Sequence, residues 1–453
     1  MLVPGAGGSV TGAGVNRSAG AGGNVTKVSS GMTGEFIVQT FLIAAANGGA
    51  VTGGGTGAGG AGGAATGGAF AAGKGGDLSG VLVDTGLSTN WTVFAAAGGE
   101  ASAAGKGGKA GSLLGVKVGV GKTAGNVSVF TGKGGTGLGT GAGGAMTAVN
   151  VTGGSVGAVS VTTGPGGTAM GTGKGASGGA MSSVVLTIGD ASSITVAGGS
   201  GGASSTGSGG AGGGVTGFTL TAGGNVDGDL FAGTGGSAAD LGSGGKGGSI
   251  SALKASIGGV ASFNVFAGPG GTGTAANAKG GHGASIVKNT LNVGSHVALV
   301  MAGNVGTPGT GGPAASGGSI TGLTVLGSGL IGAPGTGYVA AQSLHVGLST
   351  DPAKNGGVSK IVATAISSIV AGAPAANAIT AANAVSVIAG LAVKRLGADL
   401  NGDFIVTDGA GTWAGPGDAG SLLDGIVLVK NTPANVATLT GKIIAPNFLF
   451  TVA

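Results

Sequence analysis

Cysteine is absent from all 453 residues, so disulfide frameworks, thiolate metal centres and cysteine nucleophiles are excluded together. Charge is scarce too. Nineteen Lys and Arg stand against fourteen Asp and Glu, 7 % of the chain, where about 25 % is usual for a globular domain. A net charge of +5 over such a length gives no expectation of a nucleic-acid partner. Aromatic residues reach only 3 %, too few for a thick conventional core. Proline occurs 11 times and glycine does not hold every third position, which excludes collagen. What the chain has instead is 116 glycines and 41 % hydrophobic residues. Glycine at that level marks low-complexity sequence. The apolar share opposes disorder, because disordered chains are poor in apolar residues and rich in charge.

The longest informative uncharged run, between Lys360 and Lys394, contains Gly372, Pro374, Asn377 and Asn383 and suits a bilayer poorly, so no membrane span is expected. The first ten residues, MLVPGAGGSV, show no basic segment followed by an apolar core and so no signal-peptide pattern. They begin inside a glycine-rich stretch, and the chain is expected to be a fragment of a longer one.

A fixed-period repeat dominates the rest. The motif "apolar, small or aromatic, small, Gly, x, Gly-Gly" reads VFTGKGG at Val129, VTTGPGG at Val161, VAGGSGG at Val196, LFAGTGG at Leu230 and VFAGPGG at Val265, with looser copies at Val93 and Val300. The intervals from Val93 to Val300 are 36, 32, 35, 34, 35 and 35 residues. A second column, Leu113, Met146, Met181, Val215, Ile250, Ile286 and Ile320, repeats at 33, 35, 34, 35, 36 and 34. Two columns with one period establish a repeat architecture. The first unit is stretched, with 50 residues from Ile43 to Val93, as an inserted glycine-rich loop would produce.

Each unit holds two short alternating apolar segments, such as AVNVTGG and NVSVFTG, and a glycine-rich stretch such as TGLGTGAGGA. Alternation with Val, Ile, Phe and Thr is a strand pattern, and the Gly, Asn and Ser clusters between are turns. Such a unit cannot bury its apolar face alone, whereas stacking on its neighbours buries a continuous narrow core. The expected fold is therefore all-β: a parallel β-solenoid (β-helix) of about 34–35 residues per coil over residues 1–335. Two packings are open for the glycine-rich third side, a β face or extended threefold polyglycine helices held by backbone hydrogen bonds. The second is similar to the arrangement in some phage adhesins and glycine-rich antifreeze proteins. Over 336–453 glycine thins, and VSKIVA at Val358, ISSIVA at Ile366 and VSVIAG at Val385 read as smaller coils, with a helix pair as the alternative. The final alternating stretch reads as a cap on the open edge.

Few residues could carry chemistry. Asp399, Asn401 and Asp403 place oxygen side chains at first, third and fifth positions, with Asp408 beyond them, a pattern that can surround a calcium ion (Ca2+). The segment resembles the calcium loops of dockerins and thrombospondin-type repeats, from which it departs at Phe404, where glycine is wanted, and at Ala410 in place of an acid. Asp408, Asp418 or Asp424 could supply that acid, and an ordinary Asp-Asn-Gly turn is the alternative. Lys74, Lys106, Lys174, Lys246 and Lys279 recur in Gly-Lys-Gly or Ala-Lys-Gly contexts at 32, 68, 72 and 33 residues, near one or two coil lengths. Such cations could line one edge and hold an acidic polysaccharide or a cell surface. They could equally keep an uncharged face hydrated and discourage lateral pairing. GVGKTAG (119–125) lacks the first P-loop glycine, whose place is Val116. His282, His296 and His345 have no partner acids nearby in sequence.

In these repeats and GGAGG runs the whole chain resembles the glycine-rich, β-strand-repeat surface and secreted proteins of bacteria, a class of adhesin-like β-solenoids. PE-PGRS proteins share the GGAGG runs, but nothing here matches their N-terminal helical domain. The resemblance implies an extracellular or cell-surface, non-enzymatic structural or adhesive protein, capable of end-to-end self-association, and transfers no functional residue. A polysaccharide-binding or polysaccharide-cleaving β-helix protein, and an ice- or crystal-surface binder, are the alternatives.

Overall fold

The structure, a computed structural model, describes residues 90–326 apart from 102–104, 260 and 294–297, with isolated strands and a few single positions outside that span. The described residues hold strands and turns but no α-helix. They form a parallel β-solenoid in which both sequence columns are vertical ladders. Leu113 pairs with Met146, and the ladder continues through Met181, Val215, Ile250 and Ile286 to Ile320. Val93, Val129, Val161, Val196, Leu230, Val265 and Val300 stack in the same way. Every one of these side chains is buried. The 34-residue period thus has a direct cause: one period is one circuit of the coil.

The first ladder is a sheet of two-residue strands, Met146–Thr147 among them. A corner follows, where Gly115, Ala148, Ser183, Gly217, Ala252, Lys288 and Gly322 all take φ between 52° and 66°. This left-handed residue turns the chain into the long-strand sheet, whose first columns stack Val118, Val151, Leu186, Leu220, Ala255 and Leu291 inward. Further along the long sheet, one inward column runs Trp91, Val127, Val159, Ile194, Gly228, Phe263. Volume is shared between coils there. A Cβ on Gly228 would stand 2.9 Å from the Phe263 ring, so the absent side chain makes room for the large one.

The glycine-rich third side is not a β face. It consists of two antiparallel extended segments per coil, a departing one (131–137 in one coil) and a returning one (141–145), neither forming a strand. Their hydrogen bonds have a period of three, not two. Gly141 and Gly144 donate to Gly135 and Gly132 of the departing segment, and Gly143 donates to Ser177 in the next coil. Gly210, Gly213 and Gly212 repeat this with Gly202, Gly199 and Lys246. The departing segments answer in kind: Gly167 and Gly202 donate to Gly141 and Ala176 of the preceding coil at 2.9 and 2.8 Å. Three residues per turn, with donors fanning to different neighbours, is the threefold extended helix of glycine-rich chains. The packing leaves no space for side chains. A Cβ on Gly167, Gly202, Gly236 or Gly271 would collide with a backbone carbonyl of the coil below.

The stretched first unit keeps register: Phe41–Ala44 sets Ile43 beside Val93, while Thr56–Ala61 and Ala69–Gly73, inside the 50-residue interval, pair with each other. On the far side, VSKIVA and ISSIVA contribute strands. Val358 pairs with Ile320 and Val362 with Thr324, continuing both sheets, and Ser368–Val370 pairs with Gln342–His345. The last pairing, Phe404–Thr412 with Asp424–Val429, is antiparallel.

Candidate functional site

The returning segments carry the lysines. Lys106, Lys174 and Lys279 fall in one column, seven residues before the buried Leu113, Met181 and Ile286. Lys246 falls three residues further on, four before Ile250, in a column that also holds Lys109 and His282. In a threefold helix residues three apart face the same way, so both columns look outward. Burial agrees: Lys106, Lys109, Lys174 and Lys246 are exposed and Lys279 and His282 half-exposed, while Gly107, Gly108, Gly175, Gly245 and Gly281 are buried. Lys106 and Lys279, two of the five lysines expected on one edge, therefore share a coil face with Lys109 and His282. The signal was present, since Lys106 to Lys109 and Lys279 to His282 are each a step of three. That step carries meaning only on a segment with three residues per turn, which the coil period alone does not specify. Lys74 lies outside the described residues.

The same geometry frees one backbone donor per turn. Among the described residues the N–H groups of Lys109, Ala142, Ser177, Ala211, Lys246 and His282 donate to no other backbone group, although the carbonyls of Ala142, Ser177, Ala211, Lys246 and His282 accept bonds from the preceding coil. On the departing segments the equivalent column among the described residues is Ala97, Lys133, Pro165, Ser200, Thr234 and Pro269. Proline is accommodated there because the missing N–H is the one the lattice does not use.

His282 is held by its neighbour: its Nδ1 accepts the Ser316 N–H at 3.1 Å, so Nε2 carries the proton in the neutral ring. Burial, then Lys279 and Lys246 beside it, push its pKa below the usual histidine value. No acid lies in the outward columns of the returning segments among the described residues; Asp240 sits at the tip turn beyond them. Acids gather elsewhere. Asp190, Asp227 and Asp229 project from the long-strand sheet, where Asp190 accepts the Asn225 N–H at 3.0 Å and Asp229 accepts from the Asn264 amide at 2.9 Å. Glu100 pairs with Lys133 across departing segments at 3.6 Å.

Other candidates resolve differently. GVGKTAG runs within the strand Lys117–Phe130 and pairs with both neighbouring coils at Gly119 and Thr123, on either side of a register shift, so it is part of a ladder rather than a loop that opens a helix. Among the described residues no three His, Asp or Glu come together as metal ligands. Asp399, Asn401, Asp403 and Asp418 lie outside the described residues; Asp408 and Asp424 fall in strands of which only the backbone is described. No helix among the described residues is long and apolar enough to cross a membrane.

One feature was not anticipated from the low aromatic content. Phe94 stacks on Phe130 at 5.1 Å between ring centroids, and Phe231 on Phe266 at 4.9 Å, on the outside of the long-strand sheet. The second pair, with Pro165 and Pro269, lines a shallow open groove that contains no titratable side chain. Comparison with protein-family models, with curated proteins and with solved structures finds no match for this chain.

Proposed function

We propose that the protein is a non-enzymatic, extracellular structural and adhesive repeat protein, working through rigidity and a repeated surface rather than a chemical step. The observation that supports this best is the backbone-to-backbone lattice of the glycine side. It fills the third face of every described coil and leaves no concave, titratable cleft where a bound chain could be cleaved. A polysaccharide-cleaving β-helix needs paired carboxylates flanking its substrate, and the described acids are distributed singly or on a flat sheet. Coils that stack by register can extend at either end, which favours a stalk, matrix or filament component.

The test is made on the source cells and on the purified chain. Protease added to intact cells is expected to remove the protein, and incubation with neutral and acidic polysaccharides is expected to release no new reducing ends. Protection from protease on intact cells, or cleavage of any polymer in the panel, overturns the reading. An ice-binding role has one observation in its favour, the exposed in-register column Thr152, Thr187, Thr221, continued by Ser256. Gly119 ends that column on one side and Lys254 interrupts its neighbour, so absence of thermal hysteresis is the expected result.

A further inference from the structure

We propose that the outward face of the returning glycine segments binds an extended acidic polysaccharide bearing carboxylates at intervals along the chain. This deepens the adhesive reading above by naming the partner class and the face that holds it.

Three observations converge. The first is the placement of charge. Counting coils by their buried anchors, Lys106 and Lys109 precede Leu113, Lys174 precedes Met181 two coils on, Lys246 precedes Ile250 two coils further, and Lys279 and His282 precede Ile286 in the next. Coils repeat at the strand spacing of about 4.8 Å, so across the two adjacent columns a cation recurs every one or two coils, about 5–10 Å. The second is the row of N–H donors at Lys109, Ala142, Ser177, Ala211 and Lys246, one per coil on the same face, that meet no backbone acceptor among the described residues. Backbone N–H groups and ammonium groups together are what carboxylates bind. The third is the absence of acids from these two columns among the described residues: Asp190, Asp227 and Asp229 lie on the long-strand sheet, Glu100 on a departing segment and Asp240 at the tip turn.

The same features argue against other polyanions. Duplex DNA carries a charge per about 1.7 Å of axis, several times denser than this ladder. Single strands are held by aromatic stacking, and no aromatic residue lies in these columns. A bilayer surface would call for apolar side chains to insert beside the lysines, and the columns hold Gly, Ala, Ser, Pro, Lys and His.

Binding is measured with the full chain at low ionic strength against four immobilised probes: hyaluronan, with a carboxylate on every second sugar; a neutral dextran; duplex DNA; and phosphatidylserine vesicles. Retention on hyaluronan that falls with added salt, and none on dextran, is expected. Lys174→Glu combined with Lys246→Glu should weaken it by about tenfold or more, since two exposed attractions become repulsions. The control pair Lys117→Glu and Lys254→Glu, exposed on the opposite sheet, should leave it within about twofold. Melting temperatures of both pairs are compared with the parent chain to show that the coil is intact. A second readout is the His282 ring, whose titration should move upward in the bound state as carboxylates arrive beside Lys246, Lys279 and the imidazole. Equal loss from the two charge-reversal pairs, tighter retention on DNA or vesicles than on hyaluronan, or no retention at all overturns the proposal. None of these outcomes bears on protease accessibility at the cell surface, so failure here is distinguishable from failure of the structural role.

Discussion

The two halves of each coil solve the same stacking problem with opposite tolerances. On the β side, a position can hold Trp91, Val127, Val159, Ile194, Gly228 or Phe263 in successive coils, because side chains trade volume with those above and below. On the glycine side, segments approach until carbonyls occupy the space a Cβ would need. The β side is stabilised by buried apolar area, and the glycine side by hydrogen bonds that are mostly main chain to main chain, joined by the buried hydroxyls of Thr131 and Thr163. A sequence can therefore drift on one side and not on the other.

That contrast can be broken most sharply where the lattice is tightest. Gly202→Ala or Gly236→Ala should destabilise the chain by about 4 kcal/mol or more, since backbone and not a flexible side chain stands in the way. Denaturant unfolding measures it, and a loss below about 1 kcal/mol would show that the segments can spread. Gly201→Pro belongs in the same class, because its N–H donates to Thr234 at 2.8 Å. Ser200→Pro, one residue earlier, is its counterpart and comes at the bottom of the scale.

The β side should yield next. Phe263→Ala is expected to cost about 3 kcal/mol through the cavity it leaves. Gly228→Ala should be harmful alone but regain stability when combined with Phe263→Leu, a coupling read from a double-mutant cycle. Additive losses would mean that volume is not shared between these coils. The corner column gives smaller effects. Gly217→Ala should cost about 1 kcal/mol and Ala148→Gly should return about 0.5 kcal/mol, since both positions hold positive φ. Ser200→Pro closes the series with a change within about 0.5 kcal/mol, because its N–H has no partner among the described residues.

The solenoid was legible because its cause is periodic. Leu113 to Ile320 and Val93 to Val300 are columns in the sequence for the same reason that they are ladders in space: one circuit uses one repeat. The second lysine column, Lys109, Lys246 and His282, was less legible, since its grouping with the first depends on a threefold twist rather than on the coil length. The aromatic stacks were hidden for a different reason. Phe94 and Phe130, or Phe231 and Phe266, become neighbours only when coils are superposed, and their rarity in the composition masked their concentration on one face.

Composition and period by themselves settled that the chain coils, where its apolar columns run and which residues begin each circuit, because burial demands that like positions recur. They left the third side undecided, since glycine permits a pleated face and a threefold helix equally well. Tertiary structure made that choice: two antiparallel segments close enough for carbonyls to fill the place of side chains can bond to several neighbours at once, and a pleated pair cannot.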